Sequence, residues 1–258
     1  MALQDGKGTT PPGAATEEQA ARYVRGMFDQ VAPRYDMLNH ILSFQVDKYW
    51  RRRTVGKVQH ILDRADATVL DLACGTGDLT LALTRAGRAR VIGSDFCHPM
   101  LTGAAAKNAR LLFEADALSL PVASESVDLV TCAFGFRNFV NYRRGMVEIL
   151  RVLKPGGTAA ILELSTPPNA AFRAAYQFYS SRVLSRVGAL ISGSKDAYTY
   201  LPESVKKFPV AGVLAEEFKE AGYAEVEYEL LTFGIVALHL ARKGGTNPLQ
   251  KPHSGPSD

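Results

Sequence analysis

Residues 68–87 read TVLDLACGTGDLTLALTRAG. TVLDLA is a short apolar run with the pattern of a buried strand, and CGTGD is a glycine-rich turn. The segment after it has helical spacing and stops on Gly87. A strand, a tight turn and a helix closed by glycine make the first half of a βαβ unit. The alternation then continues. ARVIGSDF is a second strand and PMLTGAAAKNAR the helix after it, while LLFEADA, SVDLVTCAF and TAAILELS supply three more strands. RRGMVEILRVLKPGG is a helix closed by its Pro and Gly residues. Such alternation predicts parallel strands joined by right-handed crossovers, with helices on both faces. At the end, AEVEYELLTFGIVALHLARK offers two strands joined through TFG, with no room for a helix. They should pair as an antiparallel hairpin on the sheet edge, giving seven strands in all.

Two segments stand outside this pattern. Residues 16–62 have helical spacing and form an N-terminal cap. Residues 166–208 interrupt strand five and the final helix, and carry the amphipathic stretch AFRAAYQFYSSRVLSRVGALIS. An insert there overhangs the carboxyl ends of the strands, where open α/β sheets bind ligands. Residues 1–15 and 244–258 are rich in Gly, Pro, Ser and Thr and read as disordered tails, which leaves one domain over 16–243.

Composition narrows the function. With 47% hydrophobic and 22% charged residues the chain can bury a sizeable core. No stretch reaches the roughly 18 apolar residues of a spanning helix, and MALQDGKGTTPPGAA lacks the core of a signal peptide. Cys74, Cys97 and Cys132 show no metal or redox spacing, which suits free thiols in a reducing cytoplasm. The absence of HExxH or a Cys/His ligand set gives no expectation of a metal. A net charge of +4 is too small to argue for nucleic acid. Residues 166–207 carry six basic side chains against two acidic ones, and Arg51 to Arg53 form a second cluster. These read either as solvated helix faces or as attraction to an anionic membrane, at the inner face of which the protein would sit peripherally.

The loop after the first strand is the first chemical signal. Gly75 and Gly77 permit close backbone approach to a ligand, but Thr80 stands where a dinucleotide fingerprint needs its third glycine. Asp78 at the helix start would repel a phosphate and suit a cationic group. Asp95 ends the second strand, in the position from which a carboxylate holds ribose hydroxyls. Asp116 and Ala117 follow the third strand, where an adenine amino group could be met. A ligand with a ribose, an adenine and a positive centre but no phosphate is S-adenosylmethionine.

With these residues, VLDLACGTGD and LPVASESVDLVTCAFGFRNF resemble a class I methyltransferase of Rossmann-like fold. More narrowly, YDMLNHILSFQVDKYWRR and RVLKPGGTAAILELS are similar to the two signatures of the ubiquinone/menaquinone biosynthesis C-methyltransferase family. The resemblance runs from about Phe28 to Lys243. It implies that Thr76, Asp95, Asp116 and Ala117, with Gly75 and Gly77, bind the cofactor. Two positions depart from the family's pattern. Ala133 stands where relatives often carry Ser, and Asp47 where the first signature usually has His.

The resemblance also implies the substrate, a prenylated hydroquinol methylated at a ring carbon. The acceptor would be demethylmenaquinol, or the benzoquinol of ubiquinone synthesis. Carbon attacks well only when the neighbouring ring oxygen gives up its proton, so the site must hold a phenolate. Arg137 is suited to that and Asn138 could donate to a ring oxygen, with Phe134, Phe136 and Phe139 enclosing the ring. Asp47, Tyr35, Asp36, Asn39 and His40 on the cap, and Tyr176, Tyr198 and Tyr200 in the insert, are candidates for polar or proton-transfer roles. Phe172, Phe178, Leu184 and Leu190 could line a channel for the isoprenoid tail. A homodimer is left open. Two other readings compete: the same fold acting on a sterol or phospholipid headgroup, and a non-catalytic cofactor-binding member of a quinone-synthesis complex.

Overall fold

The computed structural model describes residues 8–32, 36–37, 43, 45–179, 182 and 204–245. Strands β1 (Thr68–Leu72), β2 (Arg90–Asp95), β3 (Leu112–Glu114), β4 (Val127–Ala133), β5 (Leu153–Leu164), β6 (Glu225–Leu231) and β7 (Val236–Arg242) form one sheet. Their order is β3-β2-β1-β4-β5-β7-β6. The first five are parallel, and β7 runs antiparallel to both β5 and β6. The expected sheet and C-terminal hairpin are thus observed, with the TFG link as a tight turn over Thr232–Gly234.

Helices among the described residues include α1 (Glu17–Val31), α2 (Val46–Leu62), α3 (Asp78–Ala86), α4 (His98–Ala106), α5 (Tyr142–Val152), α6 (Ala170–Tyr179) and α7 (Ala211–Glu220). Period-two alternation sorts the strand residues between two layers. Leu70, Leu72, Val130, Cys132 and Ile161 face one side, with Met146 and Ile149 of α5 and Leu214 and Phe218 of α7. Val69, Leu129, Ala160 and Val91 face the other, against Val58, Ile61 and Leu62 of α2 and Leu79 and Leu83 of α3. Trp50, near the start of α2, packs on Leu162, Val236 and Leu238. That contact anchors the cap to the antiparallel end of the sheet.

Two expectations are corrected here. The helix expected through LKPGG ends at Val152, and β5 already begins at Leu153, whose backbone is extended at φ −68° and ψ 134°. Pro155 has no N–H to continue a helix, and Gly156 turns the chain at φ +78°. The expected N-terminal tail is also partly structured. Thr9 is buried and its N–H donates to Phe139 O at 2.8 Å, while the Lys207 ammonium donates to Thr10 O at 3.1 Å. Composition reads as disorder there because the contacts holding the segment are made by backbone groups. The C-terminal tail beyond residue 245 lies outside the described residues.

Candidate active site

β1 feeds its crossover toward β2 and β3, and β4 lies on its other side, so the loops leaving β1 and β4 part company at their carboxyl ends. This is the switch point at which open α/β sheets form a crevice. Here both loops begin with a non-glycine residue in left-handed backbone, Ala73 at φ +49° and Phe134 at φ +61°. Such conformations are costly for residues with a Cβ and cluster at functional sites. The loops also touch. A Cβ on Gly135 would stand 2.4 Å from that of Ala73, so only glycine fits.

The crevice has two compartments that share Ala73, Gly75, Ala133 and Phe134. The larger opens in part to solvent and is mostly apolar, with Asp95, Asp116 and Asn138 among its polar residues and Phe134 and Phe139 among its walls. The smaller is polar and is lined by Arg51, Asp71, Cys74, Thr76 and Asp78 among others.

The singled-out residues that fall within the described residues can now be placed. Asp95 is buried at the end of β2. Its two oxygens accept the N–H groups of Gly75 at 2.8 Å and Cys97 at 2.9 Å. Burial pushes its carboxyl up, and these backbone donors oppose the shift. A carboxylate has about four acceptor sites, so it can still take a further donor. Asp116 accepts Leu118 N–H at 2.9 Å, and together with Ala117 it faces the larger compartment. Gly77, at φ +82°, precedes α3 and lies close under Ala104 of α4. Thr76 is buried, its hydroxyl bonded to Asp36 of the cap and to the Lys107 ammonium at 3.1 Å.

Asp78, expected to suit a cationic ligand group, is held by Lys107 at 2.8 Å and lies 3.5 Å from Arg51. Asp47, the residue standing in place of His, is buried. It accepts the Ser43 hydroxyl at 2.7 Å and pairs with Arg51 one helical turn on. The structure places it behind Arg51 rather than at the larger compartment.

The stretch FGFRNF folds as a 3-10 turn over Phe136–Asn138. Asn138 lines the larger compartment. Arg137 is 7% exposed and directs Nη1 to Glu163 Oε1 at 2.8 Å and to the carbonyl of Phe134. The same carboxylate accepts the backbone N–H of Arg137 at 3.1 Å and of Leu164 at 2.8 Å. The guanidinium therefore acts with a buried counter-charge, so it offers donors more than net charge. Its field also reaches Tyr176 of α6, where burial pushes the phenol up to about 12 and the nearby Arg137 charge opposes the rise. Tyr176 therefore stays neutral at physiological pH and can donate a hydrogen bond without releasing its proton.

Phe136 is a correction. It is fully buried against Phe139, Tyr142, Phe208 and Phe218, so it belongs to the core and does not enclose a ligand. Phe172 packs on Phe233, and Phe178 is 65% exposed. Tyr35, Asn39, His40, Leu184, Leu190, Tyr198 and Tyr200 lie outside the described residues.

Three site residues were missed by sequence reasoning. Asp71 lies fully buried in β1 with its oxygens taking the hydroxyls of Thr80 and Thr131, both at 2.6 Å. Burial raises its pKa to about 6, against those two hydrogen bonds. Glu163 looked like one letter of a core strand, and Arg51 like one of three surface arginines. The i, i+4 spacing of Asp47 and Arg51 was the one available signal for the latter.

The donor set fits S-adenosylmethionine. An apolar space closed by two carboxylates suits an adenosine, and a polar space with one cation and two acids suits a zwitterionic amino acid. Known proteins agree with this chemistry. A family model described as the ubiE/COQ5 methyltransferase family matches residues 15–243. The chain is 50% identical over 220 residues to a demethylmenaquinone methyltransferase of Thermus thermophilus, covering 83% of this chain and 98% of that protein. It is 43% identical over 238 residues to one of Deinococcus radiodurans, covering 90% and 97% respectively. A solved S-adenosylmethionine-dependent methyltransferase of Thermotoga maritima superposes with a TM-score of 0.59 at 16% identity, over 84% of this chain and 98% of that one, a likeness of fold alone. The chain belongs to the ubiE/COQ5 methyltransferase family and is a methyltransferase, in a family whose members depend on S-adenosylmethionine.

Proposed function

We propose that this methyltransferase takes its methyl group from S-adenosylmethionine and places it on a ring carbon of demethylmenaquinol, forming menaquinol. The observation that carries this reading is that the Arg137–Asn138 turn stands at the end of β4, beside the crevice that Asp95 and Asp116 close. Relatives over nearly the whole chain bear the name of that activity. When bound, the cofactor supplies an electrophilic methyl group on a sulfonium. The protein's own work is then to position the ring and stabilise its charge. Asp95 holds the ribose, and the apolar walls of Phe134 and Phe139 exclude water. Asn138 donates to the ring oxygen from the cleft. Arg137, fixed by Glu163, supplies a second rigid donor behind it, and Tyr176 a third. As the hydroquinol oxygen gives up its proton, charge moves onto the ring carbon. That carbon would take the methyl group as its bond to the sulfonium sulfur breaks and S-adenosylhomocysteine leaves, and the phenol proton and the ring proton lost on rearomatisation would both pass to solvent.

The benzoquinol of ubiquinone synthesis would present the same phenol to the same donors, so it is the first competitor substrate to test. Peripheral membrane contact belongs to the same proposal, because a prenylated quinol resides in lipid. No helix among the described residues is long and apolar enough to cross a membrane. The exposed aromatic rings Phe233 and Phe178, the latter under the Arg182 guanidinium, suit contact with an anionic bilayer surface. The test is methyl transfer from labelled S-adenosylmethionine to short-tailed demethylmenaquinol, a demethylated benzoquinol and phosphoethanolamine, read by product mass. A methylated naphthoquinol is the expected product. Methylation of the headgroup alone would overturn the proposal.

A further inference from the structure

Arg51 extends from α2 into the smaller compartment, its side chain only 12% exposed. It is the one cation among the described residues lining that space, beside the carboxylates of Asp71 and Asp78. Its placement is firm from three sides. Asp47 pairs with Nη1 from the preceding turn, Asp78 lies at 3.5 Å, and the guanidinium carbon stands 5.9 Å from the centre of the Phe134 ring. Phe134 and Gly75 are also walls of the larger compartment, so a ligand reaching past them from the adenosine side arrives at this guanidinium. A guanidinium has five donors in a planar fork, and the two pairs drawn above both engage Nη1.

We propose that Arg51 binds the α-carboxylate of S-adenosylmethionine, with Asp78 sharing the α-ammonium group. The inference rests on the cofactor reading above and adds which residue recognises the amino-acid end. Charge favours it. The ligand carries a sulfonium and an ammonium against one carboxylate, a net positive charge, and the crevice offers Asp71, Asp78, Asp95 and Asp116 against Arg51 and the Lys107 ammonium paired with Asp78, a balance that stays acidic. The demethylated product lacks the sulfonium and is neutral, so the acidic crevice holds it less well. Asp47 then becomes a positioning residue, since it fixes the rotamer of Arg51 from within the same helix.

The test is calorimetric binding of three ligands to the wild type, Arg51→Gln and Arg51→Lys. S-adenosylmethionine carries the carboxylate, its decarboxylated form lacks only that group, and 5′-methylthioadenosine lacks the whole amino-acid end. Arg51→Gln should weaken S-adenosylmethionine by about 10- to 100-fold, the range for a lost charged hydrogen bond. The decarboxylated ligand and methylthioadenosine should stay within about threefold, a factor that also reports an intact nucleoside pocket. Arg51→Lys should recover part of the loss, because it keeps the charge without the fork. Equal losses for all three ligands, or none for any, would overturn the assignment of Arg51 alone. If the wild type binds none of them, the cofactor reading falls and takes this one with it.

Discussion

Arg137 and Glu163 allow a structural clamp to be separated from a catalytic donor. Their side chains are 8% and 1% exposed and 2.8 Å apart. Removing either partner from a pair this buried leaves an uncompensated charge and costs about 3–5 kcal/mol. Domains of this kind are stable by about 5–15 kcal/mol, so Arg137→Ala alone would lose a large part of that margin. It would also leave the Glu163 anion near the place where a phenolate must form. The rate loss of the single variant therefore mixes three effects: lost donor, added repulsion and weakened fold.

The paired substitution Arg137→Met with Glu163→Gln resolves them. It removes both charges, and the glutamine carbonyl can still accept from the Arg137 or Leu164 positions, where backbone N–H groups now reach the carboxylate. Urea unfolding should show the double variant regaining most of the stability lost by either single one, a coupling of several kcal/mol. Methyl transfer under single-turnover conditions should remain about 10²–10³-fold slow, the usual loss for an oxyanion donor, with cofactor affinity unchanged. Raising the pH should partly rescue it, since more hydroquinol is then ionised unaided. If the double variant regains both stability and wild-type rate, Arg137 serves only to hold the turn and the catalytic reasoning fails.

Asp95→Ala should weaken S-adenosylmethionine by about 1–3 kcal/mol in a binding titration, through lost ribose hydrogen bonds. It should also lower the melting temperature, because Gly75 and Cys97 lose their acceptor; unchanged affinity would remove Asp95 from the site. Asp71, with its pKa raised from 3.8 to about 6, binds its proton more tightly when folded, so its contribution to stability falls as pH rises from about 4 to 6. Affinity for the cationic cofactor should move the other way, rising through about pH 6 as Asp71 ionises, and Asp71→Asn should flatten both profiles. Salt-sensitive co-sedimentation with anionic vesicles should be reduced by Phe178→Ser and Phe233→Ser together; identical binding by the variant would exclude those rings from the contact.

The sheet was legible because β1, β4 and the TAAILEL part of β5 are short apolar runs, and a strand buried on both faces has few other readings. The aspartates at strand ends were legible for a related reason: in an alternating βα chain, the end of each strand is a fixed place at the crevice. Side-chain direction within a turn was not. Phe134, Phe136 and Phe139 look equivalent in FGFRNF, yet left-handed backbone at Phe134 and a 3-10 turn after it send Phe136 into the core and leave Phe134 at the cleft. Pairs distant in sequence were equally hidden. Glu163 is 26 residues from Arg137, and nothing in AILELS distinguishes a buried counter-ion from an edge-facing acid.

The cap meets the cofactor loop through charge. Asp36 engages Thr76 and Lys107, Lys107 engages Asp78, and Arg51 joins Asp47 to Asp78 over the ring of Phe134. Apolar anchoring lies elsewhere, at Trp50 against β5 and β7, where its indole N–H donates to the Thr232 hydroxyl at 2.8 Å. Ion pairs whose members are 24–32% exposed, as Asp78, Asp36 and Lys107 are, sit closer to the surface value of at most about 1 kcal/mol than to that of a buried pair. A ligand bearing its own carboxylate and ammonium can therefore exchange with these contacts at small cost, whereas displacing Trp50 would expose a large apolar area. The cap is thus fixed at its aromatic end and replaceable at its charged end. That division places the exchangeable contacts at the compartment where the cofactor's amino-acid end is proposed to bind.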